Sequence, residues 1–163
     1  MIVRNVLPTF LVAVALAIAG TLTPSSGPGL QQEAKSPAPH VGLAVEILSK
    51  TNGTDFSRYI THLIESLKPS ISAHLPESAE SGKKGIVTLQ IQLQKDGSIA
   101  EGYPVAITQP GIQTSTAYKE MEAASITAVR TAAPYGPMPE AFSGSILMLK
   151  IHFFFNIPPG RAN

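Results

Sequence analysis

Hydrophobic and polar positions alternate most regularly in two stretches of the chain, Gly85–Gln94 and Ser145–Asn156. This period of two predicts β-strands that bury one face and expose the other. The predicted buried face of the first strand consists of Val87, Leu89, Ile91 and Leu93. That of the second strand consists of Leu147, Leu149, Ile151, Phe153 and Phe155.

Shorter patterns predict the remaining strands. Asp96-Gly97 indicates a hairpin turn with positive φ, from which Ile99–Thr108 returns as a second strand. Pro104 has no N–H to donate, so this strand is expected at a sheet edge or at a bulge. The apolar run Leu43–Leu48 is a candidate edge strand that lies against the domain.

Two segments carry apolar residues at the three- and four-residue spacing of amphipathic helices. The first is Asp55–Leu75, where Asp55 is a candidate N-cap and Pro69 is expected to kink or split the helix after Lys68. The second is Thr116–Ala132, with Thr114 or Ser115 as its cap. Residues 77–84 read as a polar loop. The predicted class is α+β, with two helices packed on one face of a three-stranded antiparallel sheet.

The ends of the chain have a different character from this domain, which is expected to span residues 43–157. Arg4 precedes the apolar run Val6–Leu22, the layout of an export signal, so residues 1–22 are a signal peptide or a membrane anchor. Cleavage after Ala19 and retention as an anchor are both open. Residues 23–42 are rich in Pro, Ser and Gly and are expected to form a disordered linker. Residues 158–163 form a polar tail.

Composition and motifs argue against most kinds of chemistry. The 163 residues carry a formal net charge of +1 and no long basic run, so nothing indicates nucleic-acid binding. The absence of Cys excludes disulfides, thiolate metal sites and a thiol nucleophile. His62, His74 and His152 have no ligand spacing, and no serine lies in a nucleophile elbow. No enzyme, cofactor or metal site is expected.

Short sequence matches, in one order along the chain, resemble the C-terminal domain of TonB-type energy transducers. They cover about Val45 to Asn156, and the ordered set is more specific than any one of them. The matching residues are Val45-Glu46-Ile47-Leu48, Asp55-Phe56 with Tyr59, Leu75-Pro76-Glu77, Gly85 with Val87, Asp96-Gly97-Ser98-Ile99, Met121-Glu122 with Ala124, Ala128-Val129-Arg130, Ala133-Pro134-Tyr135, Met138-Pro139, Phe142 with Gly144, and Phe153-Phe154-Phe155-Asn156.

The resemblance implies a periplasmic protein that couples an inner-membrane proton-channel complex to outer-membrane transporters. It further implies that a short peptide of the transporter binds by adding a strand to the sheet. On this sequence the expected edge is the last strand, with one side unpaired. The predicted partner-binding residues are Leu147, Met148, Leu149, Lys150, Ile151, His152, Phe153 and Phe154.

Three departures from the family pattern keep a second hypothesis open. The segment Val6–Leu22 lacks the histidine that engages the proton-driven complex, the linker is short, and the usual Trp or Tyr is missing at residues 71–74. The alternative is a cleaved, soluble periplasmic module that binds protein at the same sheet edge without motor coupling. Dimerisation of the domain through its sheet edges is also left open.

Overall fold

A computed structural model describes residues 38–107 and 115–157. The predicted export segment, most of the predicted linker and the tail lie outside the described residues. The described chain forms, in order, β1 (Val41–Ile47), α1 (Ser57–Ala73), α2 (Glu77–Glu80), β2 (Gly85–Gln94), β3 (Val105–Ala106), α3 (Thr116–Ala132) and β4 (Ile146–Phe155).

The sheet has four antiparallel strands in the order β1-β4-β2-β3, not the three that the sequence predicts. The fourth strand is β1, which contains most of the candidate edge strand Leu43–Leu48 and pairs with β4 along its whole length, from Val41 opposite Phe155 to Ile47 opposite Leu149. It begins two residues before the predicted start of the domain at Leu43. The α+β class is confirmed, and β2 and β4 pair with each other at the centre of the sheet.

One hydrophobic core lies between the helices and one face of the sheet. The alternating residues predicted for the buried faces of β2 and β4 are all fully buried. They join a single cluster with Leu63 and Leu67 of α1 and with Met121, Ala128 and Val129 of α3. The opposite face of the sheet is partly open, since Ile86 and Ile146 on it are 39% and 44% exposed.

Helix α1 continues through Pro69, so the predicted split after Lys68 is wrong. The exposed proline ring removes one helical hydrogen bond, but Leu67, Ser70 and Ile71 on either side are buried. We attribute the continuity of the helix to this packing, because tertiary contacts override local propensity. Asp55 lies ahead of the helix, and its carboxylate accepts hydrogen bonds from the N–H and hydroxyl of Ser57.

Of the two remaining helices, α3 agrees with the sequence prediction and α2 was not predicted. Helix α3 has the predicted bounds, and the Ser115 hydroxyl accepts from the Tyr118 N–H as an N-cap. By contrast, the predicted loop at residues 77–84 contains the one-turn helix α2, which starts after Pro76 and buries Ser78 and Ala79. Pro76 supplies the extended backbone at the start of that turn.

The hairpin between β2 and the following segment is a three-residue loop. The Gly97 N–H donates to the Gln94 carbonyl, and the Gln94 N–H donates to the Ser98 carbonyl. Gly97 alone in the Asp96-Gly97 pair has positive φ, +82°, so the turn has the glycine-bulge form and not the primed form. The returning strand is short: a bridge at Ile99 and then β3, with Pro104 between them.

Candidate functional site

The predicted binding strand, β4, lies inside the sheet. It is paired with β2 on one side and with β1 on the other. A strand with partners on both sides has no free row of backbone N–H and C=O groups, so an incoming peptide cannot add to it. The prediction of an open edge along residues 147–154 is therefore wrong, because β1 occupies that edge.

The eight predicted binding residues divide between the two faces of β4. Leu147, Leu149, Ile151 and Phe153 are fully buried in the core and contact no solvent. The other four, Met148, Lys150, His152 and Phe154, lie on the outer face of the sheet and are partly exposed. The structure therefore separates the set and leaves only the second group accessible.

Among the described strands, β1 ends the sheet on the side of β4 that faces away from β2, so its outer edge has no described strand beside it. The Asn156 N–H donates to the His40 carbonyl, and the Leu48 N–H donates to the Met148 carbonyl. Because hydrogen-bonding residues alternate along an antiparallel strand, Gly42, Ala44 and Glu46 also turn their backbone groups toward β4. The backbone N–H and C=O groups of the other residues point outward, namely those of Val41, Leu43, Val45 and Ile47.

The side chains of these same four residues face the helices and pack against the core. They are only partly buried, whereas the residues of β4 opposite them, such as Ile151 and Phe153, are fully buried. In the described part of the chain no strand lies beyond β1. The edge thus combines unpaired backbone groups with incompletely covered apolar side chains, which is the arrangement that strand addition completes.

Hydrogen bonds hold both ends of β1 on β4. At one end the His40 N–H donates to Asn156 Oδ1 over 3.0 Å. At the other the Met148 N–H donates to Ser49 Oγ over 2.8 Å, and the Leu48 N–H donates to the Met148 carbonyl over 2.8 Å. These bonds make β1 a fixed edge of the sheet and not a strand poised to leave it.

A polar cluster on the outer face links β1 to the two central strands. Glu46 Oε2 lies 3.5 Å from Lys150 Nζ and 4.0 Å from His152 Nε2. On the other side of the histidine ring, Nδ1 lies 3.0 Å from the Thr88 hydroxyl. The only charged side chain of β1 therefore lies on the outer face of the sheet beside Lys150.

The opposite edge of the sheet is less suited to a partner strand. There β3 contributes two residues, Val105 and Ala106, and Pro104 directly before them has no N–H. Val105 is 47% exposed, so this edge offers little apolar surface that is already organised against the core. Of the two edges, β1 therefore provides the longer and more regular template.

A shallow groove of about 390 Å³ lies between the start of α1 and the loop after α3, lined mainly by Tyr59, Tyr135 and Pro137. Tyr135, one of the lining residues, has a structural role, because its hydroxyl donates to the Val129 carbonyl over 2.8 Å. Within residues 38–107 and 115–157, no group of three His, Asp or Glu side chains is placed to hold a metal ion.

Comparison of the chain with protein-family models, with curated proteins and with solved structures finds no match in any of the three. The resemblance to TonB therefore rests on the ordered residues quoted above. Among the described residues, no helix combines the length and the apolar character needed to cross a membrane.

One signal in the sequence does indicate the central position of β4. Eight of its ten residues, ILMLKIHFFF, are apolar, and the two polar ones, Lys150 and His152, lie on its outer face. The sequence of β1, VGLAVEI, has smaller residues and a charge on its outer face. The larger apolar residues of β4 agree with its place inside the sheet, next to β1 at the edge.

Proposed function

We propose that this chain is an exported, TonB-like periplasmic protein that binds an extended segment of another protein by adding it as a strand to the outer edge of β1. The observation that carries the proposal is the outward row of N–H and C=O groups at Val41, Leu43, Val45 and Ile47. Main-chain hydrogen bonds supply affinity in this mode, and alternate side chains set the register.

The partner we propose is a peptide of an outer-membrane transporter, and the role is energy transduction to transport. This part rests on the resemblance and on the export-type N-terminal segment of the sequence. In this arrangement the bound strand continues the sheet beyond β1 and covers the partly buried side chains of that strand. Coupling to an inner-membrane proton-channel complex requires that residues 1–22 remain as an anchor.

Photo-cross-linking in the cell envelope tests the proposal on the full chain. Benzoylphenylalanine at Ala44 places the probe on an exposed side chain of the edge strand. We expect a covalent product with an outer-membrane transporter, cross-linked within an extended segment of that protein. The same probe at Glu120, an exposed residue of α3, should not give this product.

A matched pair of substitutions shows whether the backbone of β1 makes the contact. Val45→Pro removes one outward N–H, whereas Val45→Ala removes side-chain bulk and keeps that N–H. We expect the cross-link from Ala44 to disappear with Val45→Pro and to persist with Val45→Ala. A cross-link that survives Val45→Pro, or that never involves an outer-membrane transporter, would refute the proposal.

The second candidate function is a cleaved periplasmic binding module that uses the same edge without a motor. The observation that favours it is the sequence Ala17-Ile18-Ala19, a small-residue cleavage site followed by a short linker. N-terminal sequencing of the mature protein separates the two: a start at Gly20 supports the module, and an intact residue 1–22 segment supports the transducer.

A further inference from the structure

The outward edge of β1 is complementary to itself. Antiparallel pairing of two β1 strands about a two-fold axis at Ala44 places Val41 opposite Ile47 and Leu43 opposite Val45, in both directions. These four residues are the ones whose backbone groups point outward. Each such pair in an antiparallel ladder shares two hydrogen bonds, so every outward N–H and C=O of β1 receives a partner.

The side chains also fit this register. On the helix face, the pairs Val41–Ile47 and Leu43–Val45 bring partly buried apolar residues together. On the outer face, Ala44 meets its own copy, and Glu46 lies opposite Gly42. The register therefore keeps the two Glu46 carboxylates apart, and each stays beside Lys150 of its own chain. Each pair on the outer face thus contains at least one small residue, and no like charges meet.

The neighbouring registers are less favourable. An axis at Leu43 places Ile47 opposite Pro39, which has no N–H to donate. An axis at Val45 places Val41 opposite Ser49, whose N–H is already turned inward to the Met148 carbonyl at 3.3 Å. Only the axis at Ala44 uses all seven residues of β1. The strand also contains no proline or lysine, the residues that commonly protect edges from such pairing.

We infer that β1 of a second copy of this chain occupies the edge when no partner peptide is bound, which joins two sheets into one of eight strands. The interface is isologous, as in most dimers with two-fold symmetry. It shares its edge with the proposed function but rests on the geometry of β1 alone. A second copy and a partner peptide are alternative occupants, so the dimer keeps the edge covered until a partner competes for it.

Cysteine cross-linking of the full chain tests both the dimer and its register, because the natural sequence contains no Cys. In the inferred register the two Ala44 Cα atoms form a non-hydrogen-bonded pair about 4.5 Å apart, within the range of a disulfide. An Ala44→Cys variant should therefore form a covalent dimer under mild oxidation. The control is Glu46→Cys: the two copies of this position lie about 14 Å apart and should not cross-link.

The backbone variants complete the test. Adding Val45→Pro to Ala44→Cys should abolish the disulfide, and adding Val45→Ala should leave it. Light scattering of the unsubstituted chain should give the mass of a dimer that dissociates on dilution, and Val45→Pro should give a monomer with an intact circular dichroism spectrum. Equal cross-linking at both cysteine positions, or a monomeric unsubstituted chain, would overturn the inference.

These outcomes are separate from those of the transporter cross-link. A disulfide at Ala44→Cys without any transporter product would support the dimer and refute the proposed function. A transporter product from a chain that is monomeric and does not form the disulfide would refute the dimer alone.

Discussion

Asn156 and His40 exchange two hydrogen bonds that join the end of β4 to the start of β1. The Asn156 N–H donates to the His40 carbonyl over 2.7 Å, and the His40 N–H donates to Asn156 Oδ1 over 3.0 Å. The Asn156 amide group also donates to the carbonyls of Ala79 and Lys83, both over 2.8 Å. One side chain thus fixes β1, β4 and the segment around α2.

Two substitutions at Asn156 separate its side chain from its backbone. The residue has φ of +53°, which glycine adopts freely and alanine does not. We expect Asn156→Gly to lower the free energy of unfolding by about 1–3 kcal/mol through the lost hydrogen bonds. Asn156→Ala should cost about 1 kcal/mol more, and urea denaturation measures both. Equal losses would mean that the positive φ contributes nothing.

Gly97 and Gly102 provide a matched pair for the hairpin. Both have φ near +80°, but a Cβ at Gly97 would overlap the carbonyl of Gly136 and lie 2.6 Å from its nitrogen, whereas nothing lies within 4 Å at Gly102. Gly102→Ala should cost about 1 kcal/mol for the left-handed backbone. Gly97→Ala should cost at least about 2 kcal/mol, because the overlap adds to that strain. Similar losses in urea melts would show that the loop carrying Gly136 moves freely away from the hairpin.

The direction of the backbone groups in β1 can be tested by proline scanning. At Ala44 the N–H bonds β4, so Ala44→Pro should break the β1–β4 ladder and expose the amides of both strands to hydrogen exchange. At Val45 the N–H points outward, so Val45→Pro should leave those amides protected. The opposite result would mean that the odd-numbered residues of β1 hydrogen-bond to β4. The outward backbone groups of the candidate edge would then belong to the even-numbered residues.

Sequence patterns predict the elements of this fold better than their arrangement. The bounds of β2 and α3 match the predictions, and the buried face of β4 is correct at every position, because period and capping are local properties. The place of β1 in the sheet is not local. A strand that precedes the first helix can reach either edge, and only the large apolar residues Met148 and Phe154 among the outer-face residues of β4 favour the one observed.

The hydrogen bonds of Asn156 illustrate a second limit of prediction from the sequence. An asparagine after a strand is expected in a turn, and its positive φ agrees with that expectation. Its three side-chain contacts, however, depend on residues 73 to 116 positions earlier in the chain. No spacing rule brings His40, Ala79 and Lys83 together, so only the folded chain shows that Asn156 anchors the β1 edge of the sheet.

Tyr135 and Tyr59 line the same groove, but removal of their hydroxyls should change the free energy of unfolding by different amounts. The Tyr135 hydroxyl donates to the Val129 carbonyl over 2.8 Å, in the last turn of α3 where carbonyls lack helical partners. Tyr135→Phe should therefore cost about 1–3 kcal/mol at neutral pH, because it leaves a buried acceptor unsatisfied. The Tyr59 hydroxyl reaches the Gly136 carbonyl over a long 3.4 Å, so Tyr59→Phe should cost less than about 1 kcal/mol.

Alkaline titration gives the same pair of tyrosines a second readout. Burial, with a smaller effect of the Asp96 charge, raises the pKa of Tyr59 to about 12, and burial also raises the pKa of Tyr135. A phenol whose pKa is higher in the folded state stabilises the fold fully below its unfolded pKa of about 10, and this contribution is lost as the pH rises toward the folded value. The free energy of unfolding should therefore fall between about pH 10 and pH 12, and Tyr59→Phe should make that fall shallower. A fall of unchanged slope would mean that Tyr59 titrates as freely in the folded chain as in the unfolded one.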